Sequence, residues 1–459
     1  MVFSSFQFIG VFLPLFLAAY YLTLRYAHAY RNTVIFIFSI AFYAYGAIKS
    51  GTPLYILIFL VSVVFNYFVG LALKESAGRD MRRKVLLVLG LVVDLGILFV
   101  FKYSDFVFGT GLDLLLPIGI SFYTFQIASY IIDVYRDGSL AESSLINLGA
   151  YIMMFPQLIA GPIVRFSTVR KDLRKRRESK AQFTEGLRTF AAGLGFKVII
   201  ANQLGNIWTF ANTVGFRSLS VPMAWLAMIA YSFQLYFDFY GYSLMAIGLG
   251  RMMGFEFPEN FDSPYVSVSM TEFWRRWHMT LGSWFREYVY IPLGGSRRGT
   301  ARTFINLLAV WMLTGLWHGA DWNFIIWGLV LFAIIFAEKR GIKDFMDTHR
   351  AAGHVYMILL IPLQWMLFAV SDLKDLAALY GRLIGIGGIS VSASDWLIQL
   401  SDTWWIILLA LVFSTGLPQK LYKKRRSSIV TDILLVAVFG AVIYCLYMGL
   451  NDPFMYFRF

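Results

Sequence analysis

Long apolar runs separated by short polar breaks fill almost the whole chain. A bilayer-spanning helix needs about 20 mostly apolar residues. The runs at 6–24, 32–48, 54–73, 85–101, 114–135, 186–210, 222–249, 304–318, 321–337, 355–371, 404–417 and 429–449 predict such helices. The run 148–163 (LGAYIMMFPQLIAGPI) is apolar too, but Pro156, Gly161 and Pro162 interrupt it. Broken backbone at membrane depth is tolerated only where protein or a water-filled cavity satisfies it. This run therefore reads as re-entrant, with a kinked helix as the other reading. The polar stretch 251–303 contains Thr271–Tyr290, which predicts a single amphipathic helix. Trp274, Trp277, Leu281, Trp284, Phe285 and Tyr288 recur at i, i+3/i+4 on one face, with Arg275 and Arg286 on another. Residues 292–299 (PLGGSRRG) form a turn that ends it. No internal repeat is visible. The pattern predicts an all-α polytopic membrane protein with about 11–13 transmembrane or re-entrant helices, and residues 1–459 as a single membrane-embedded domain.

Composition agrees with the pattern. Of 459 residues, 58% are hydrophobic and 15% charged, against about 45–50% and about 25% in soluble domains. A disordered chain, a disulfide scaffold and a collagen-like chain are excluded. The only cysteine, Cys445, can form neither an internal disulfide nor a paired-Cys metal site, and it reads as a packing residue. The N-terminus lacks a basic n-region and a cleavage site, so 6–24 reads as a retained first helix.

The net charge is +13. In a membrane protein that excess points to cytoplasmic loops and not to nucleic acid. Segments 74–84, 165–180 and 420–426 carry 18 of the 40 basic residues. Placing all three in the cytoplasm puts both termini outside. Span 304–318 then runs from inside outward.

Five histidines are candidates for chemistry. His28, His349 and His354 lie in polar loops and read as solvated. His278 sits among the aromatics of 271–290, and His318 sits in WMLTGLWHGADWNFIIWG between two apolar runs. An ionisable residue at membrane depth is costly and marks function by default; an interhelical hydrogen bond is the competing role. Histidine, with an ordinary pKa of about 6.5, can take and return a proton near neutrality. Gly319 leaves room beside His318 for a ligand. Asp321 and Asn323 are close enough to orient the ring or to cap the next helix. Asp238, inside the run 222–249, needs a buried partner and reads as polar glue between helices ahead of direct chemistry. No phosphate loop, paired-Cys or HExxH metal site, or G-x-S-x-G elbow is present. The aromatic tail Asn451–Phe459 includes Tyr456, a hydroxyl nucleophile that is weak without a base.

At this point the motifs resemble a known family. FWRRWHMTLGSWFREYVYIPLGGSRRG (273–299) followed by LTGLWHGADWNFIIWG (313–328) is similar to the membrane-bound O-acyltransferases, in the bacterial branch of alginate and peptidoglycan O-acetyltransferase membrane subunits. MVFSS at the start, LPIGISFYTFQIASYIIDVYR (116–136), FPQLIAGPIVRF (155–166), YFDFYGYSLMAIG (236–248) and the PFMYFRF end extend the likeness over nearly the whole chain. Leu244 stands where alginate-type relatives often carry Asp, which weakens the case for alginate in particular.

The resemblance implies a ring of membrane helices around a central tunnel, in a bacterial cytoplasmic (inner) membrane among its lipids. It makes 271–337 the catalytic core, with His318 of the W-H-G motif and His278 of the W-x-x-W-H motif as catalytic residues. It implies acetyl-CoA as donor substrate, no bound cofactor or metal, and an extracytoplasmic partner acetyltransferase acting on a glycan. Arg275, Arg276, Trp317, Asn323 and Asp238 become candidates for binding the donor or supporting the histidines. Tyr456, in the tail 450–459, becomes a candidate acyl relay. A D-alanyl transferase of the same superfamily and a lipid-linked glycan flippase are the alternatives.

Overall fold

The computed structural model describes residues 1–449 apart from 113, 160, 389, 391 and 427; Tyr456 and its tail lie outside the described residues. Among the described residues the regular structure is helical, with one isolated antiparallel bridge between Phe261 and Trp277. Each of the twelve apolar runs contains helix. Among the described residues seven helices are long and apolar enough to cross a membrane: Phe8–Tyr26, His28–Lys49, Tyr55–Glu75, Asp80–Lys102, Arg350–Ala369, Asp395–Ser414 and Ile429–Tyr447. The others are shorter or carry polar groups inside. Ile120–Arg136 buries Ser121, Thr124, Gln126 and Ser129, and Val221–Met252 includes the buried Gln234, Asp238 and Ser243. This is a polytopic helical membrane protein.

Two boundaries differ from the sequence pattern. The run 114–135 becomes helical only at Ile120, after Pro117 and a left-handed Gly119 (φ 71°). At 148–163 a helix, Leu145–Met153, ends at Met154, and the chain continues through the short turn Phe155–Leu158. The freed backbone is satisfied within the protein. Ser39 Oγ accepts from the Phe155 N–H at 3.1 Å, Tyr151 OH donates to the Val164 carbonyl at 2.9 Å, and Gln157 Nε2 donates to the Tyr151 carbonyl. Protein partners are what broken backbone in an apolar setting requires.

The described residues form two compact units. The first comprises 1–190 and 245–258. Phe155 packs there among phenylalanines, its ring centroid 5.0 Å from Phe16, 5.3 Å from Phe12 and 5.7 Å from Phe42. Beside them a buried ionic centre joins Arg31 and Arg176 to one carboxylate, Glu178, at 3.3 and 3.2 Å, and Tyr20 donates to the same carboxylate at 2.8 Å. Part of the basic stretch 165–180 is therefore internal structure and not solvated charge.

The second unit comprises the described residues of 191–244 and 259–449. Its backbone is the hairpin of Thr300–His318 and Trp322–Ala337, with Arg350–Ala369 packed along the second arm. The arms approach closely at Gly315 and Gly328. A Cβ at Gly328 would sit 2.5 Å from the Trp311 carbonyl oxygen, and one at Gly315 would meet the Phe324 backbone. Small residues permit such helix contacts in membranes.

Candidate active site

The segment carrying His278 is assembled from polar contacts to the backbone. Ser269 caps the helix Met270–Arg276, its side chain accepting from the Glu272 N–H at 3.2 Å, while Glu272 accepts from the Val268 N–H at 3.0 Å. That is a capping box displaced by one residue. A second carboxylate closes the same end: the buried Glu338 accepts from the Met270 N–H (2.6 Å), the Thr271 N–H (2.7 Å) and the Thr271 hydroxyl (2.6 Å).

The helix then stops, which corrects the single helix expected over Thr271–Tyr290. Trp277 is extended (φ −103°, ψ 130°), and His278 is left-handed (φ 45°, ψ 50°) before the next helix, Met279–Phe285. A non-glycine residue in that region is uncommon and must be held there by its surroundings. Antiparallel pairing with 260–262 holds it: Asp262 N–H donates to the Arg276 carbonyl at 2.9 Å, and Met279 N–H to the Asn260 carbonyl at 3.0 Å. Trp277 packs 5.0 Å from Phe261 and 4.8 Å from Trp365 between ring centroids. The shared face supposed for Arg275 and Arg286 does not survive the break.

His278 is 2% exposed. Its Nδ1 lies 3.1 Å from Asn260 Oδ1, its ring stands edge-on to Phe239 at 4.7 Å, and its Nε2 is buried with no hydrogen-bond partner. His278 lies in none of the seven candidate spans, and burial pushes its imidazole down to about 3, so the ring is neutral.

His318 is the last residue of Thr300–His318. Its ring meets Trp317, Trp327 and Phe368 edge-on, at 4.9, 5.2 and 5.0 Å between centroids. Trp317 also lies 6.0 Å from His278, so the structure brings both histidines to one buried indole. Gly319 does not open space for a ligand: a Cβ there would run into the Phe324 ring, so the glycine accommodates that ring. Asp321 caps the next helix, accepting from the Trp322 N–H at 2.7 Å. Asn323 Nδ2 donates to the carbonyls of Leu367 (3.2 Å) and Phe368 (3.3 Å).

The remaining candidates separate. Arg276 is tied to Glu272 at 2.9 Å and Asp262 at 3.1 Å, while Arg275 is exposed. Asp238 has the buried partner that it needs: Lys197 Nζ lies 2.8 Å from Asp238 Oδ1 and 2.7 Å from Asn202 Oδ1. Among the described residues no group of three or more His, Cys, Asp or Glu side chains is arranged to hold a metal. Asn260, Glu338 and Lys197 are absent from the sequence-based candidates. Only Lys197 left a trace there, as a cation inside an apolar run; the partners of Asn260 and Glu338 are too far along the chain to be paired by spacing. Chemically, the site offers two imidazoles in an aromatic wall, one of them neutral with an unengaged nitrogen. That is a setting for moving a proton.

Comparison with known proteins bears on the reaction. Residues 35–366 match the membrane-bound O-acyltransferase family. The chain is 37% identical to a "Probable alginate O-acetylase AlgI" of Pseudomonas putida, over 100% of both chains. It is 41% identical to the protein of that name from Azotobacter vinelandii, over 85% of this chain and 80% of that one. It is 32% identical to a "Peptidoglycan O-acetyltransferase" of Helicobacter pylori, over 88% of this chain and 84% of that one.

Proposed function

The chain belongs to the membrane-bound O-acyltransferase family, and from that premise we propose that this O-acyltransferase moves acetyl from a cytoplasmic thioester, acetyl-CoA, for O-acetylation of an extracytoplasmic cell-envelope polysaccharide. The observation that carries the reading is the pair of buried histidines that both meet Trp317. The relatives' names supply the acyl group and the glycan class. His318 acts as general base on the accepting hydroxyl. As the O–H bond breaks, oxygen attacks the thioester carbonyl, the C–S bond breaks, and the departing sulfur takes up the proton. His278 positions the donor and shuttles that proton. Arg275, exposed on the same segment, attracts the donor's phosphates, with Arg276 beside it. Trp317 and Asn323 support the histidines, while Asp238 acts through its pair with Lys197.

The basic loops support a topology with both termini outside an inner membrane and His318 on the acceptor side of His278. Tyr456 is proposed as a relay: its phenol oxygen receives the acetyl group and passes it to an extracytoplasmic partner acetyltransferase.

The test is mass spectrometry of purified protein after incubation with isotope-labelled acetyl-CoA, wild type beside His318→Ala. An acetyl adduct on the C-terminal peptide, absent from the variant, is expected. Variant-sensitive release of free coenzyme A without an adduct removes the relay and keeps the enzyme. Absence of both signals overturns the acetyl-CoA reading in favour of a D-alanyl donor or glycan flipping.

A further inference from the structure

A histidine reads out its chemistry through its tautomer, and the hydrogen bond made by one ring nitrogen decides what the other can do. Around His278 one hydrogen-bonding group has no freedom. The Thr280 backbone N–H can only donate, and it points at Asn260 Oδ1 at 3.3 Å; the Thr280 hydroxyl reaches the same atom at 2.9 Å. The atom facing them must therefore be the amide oxygen. The amide nitrogen is occupied on its other side, donating to Ser243 Oγ at 3.1 Å. The oxygen that faces Thr280 also faces His278 Nδ1 at 3.1 Å, and an amide oxygen only accepts. Nδ1 must carry the hydrogen. In a neutral ring, Nε2 then carries the lone pair, and Nε2 is the buried atom with no partner.

We infer that Asn260 is a positioning residue that locks His278 in the Nδ1–H tautomer, leaving Nε2 as the nitrogen that receives the proton His318 has taken from the acceptor hydroxyl and passes it to the departing sulfur. This rests on the acetyl-transfer reading above. It also makes that reading more specific: in the resting enzyme His278 accepts a proton and does not donate one to the thioester carbonyl. The left-handed backbone at 278 belongs to the same device. It places the imidazole against Asn260, 18 positions earlier in the chain, where a continuous helix would carry it along with its neighbours.

Tautomer and turnover test it separately. In 15N-histidine-labelled protein in detergent, the His278 resonances are assigned by their loss in His278→Gln, and wild type is expected to show a protonated Nδ1 and a bare Nε2. Asn260→Asp keeps an acceptor for both donors and is expected to keep the tautomer. Asn260→Ala is expected to give a tautomer mixture, with kcat for acetyl transfer down about 10- to 100-fold and KM within about threefold of wild type. A wild-type Nε2–H signal overturns the inference, as does an Asn260→Ala protein with the wild-type tautomer and a loss confined to thermal stability. The spectrum needs neither donor nor acceptor. A confirmed tautomer without acetyl transfer therefore condemns the functional reading and not the lock.

Discussion

The two histidines are held by opposite means. His318 ends a regular helix in a hairpin whose arms meet at glycines and whose ring is walled by Trp317, Trp327 and Phe368. His278 sits at a break between two seven-residue helices, held by Asn260, the 260–262 pairing and the Glu338 latch. Aromatic rings crowd the first, and hydrogen bonds to the backbone hold the segment of the second. Packing is distributed over many small contacts, whereas a buried polar latch fails when one partner is removed. The His278 segment is therefore the more fragile half of the site.

The largest effect comes from removing the imidazoles themselves. His318→Ala and His278→Ala are each expected to lower acetyl transfer by about 10²- to 10⁴-fold. If the two act as one proton-handling unit, the double variant loses little more than the worse single one. Multiplying losses in single-turnover assays would show independent roles and separate the two regions functionally as well as structurally.

Next in size is the latch. Glu338→Ala strands two backbone N–H groups and the Thr271 hydroxyl in a buried site, and each unsatisfied group costs about 1–3 kcal/mol. A loss of about 3 kcal/mol or more in unfolding stability in detergent is expected. Glu338→Gln, which keeps one accepting oxygen, should recover part of it. An Ala variant of wild-type stability would mean that packing holds the His278 segment too, and the contrast would fall.

The hairpin should respond differently. Gly319→Ala drives a methyl into the Phe324 ring, and Gly328→Ala puts one 2.5 Å from the Trp311 carbonyl. Overpacking of this kind costs about 1–3 kcal/mol. A stabilised Gly319→Ala would show that the Phe324 ring has somewhere to go.

What the sequence disclosed follows the same division. Apolar runs of spanning length are local, so every run that the pattern marked contains helix, and the W-H-G motif was visible as a polar interruption at the end of one. The break at His278 was not visible. Its helical i, i+3/i+4 spacing is intact, and the competing bonds come from Asn260 and Glu338, far off along the chain. Charges inside runs misled in a related way. Lys197 and Asp94 lie in runs counted only as spans, yet Lys197 is buried against Asp238, and Asp94 accepts from Ser62 and Asn66 at 3.2 and 2.9 Å. Arg176 was counted as loop charge, yet it is buried beside Glu178. The partners of Lys197 and Asp94 are distant in the chain, and Glu178 lies only two positions from Arg176. Hydropathy sums cannot show such pairs, and low-dielectric burial makes them obligatory.

The smallest expected effect is the dependence of stability on pH. Burial lowers the His278 imidazole from 6.5 to about 3, whereas the unfolded chain keeps the ordinary value of about 6.5. As pH falls below that ordinary value, the unfolded state takes up a proton that the folded state refuses. Stability from the neutral ring is therefore complete above about pH 6.5 and is lost progressively toward pH 3. Between about pH 8 and about pH 5.5, wild type should lose roughly 1.4 kcal/mol more than His278→Gln, read as the difference in their unfolding free energies. The other four histidines are common to both proteins and cancel in the subtraction. Parallel stability curves would mean that the folded ring takes up the proton as readily as the unfolded one. His278 would then be reachable by water, and its segment would be looser than the Asn260 and Glu338 bonds make it.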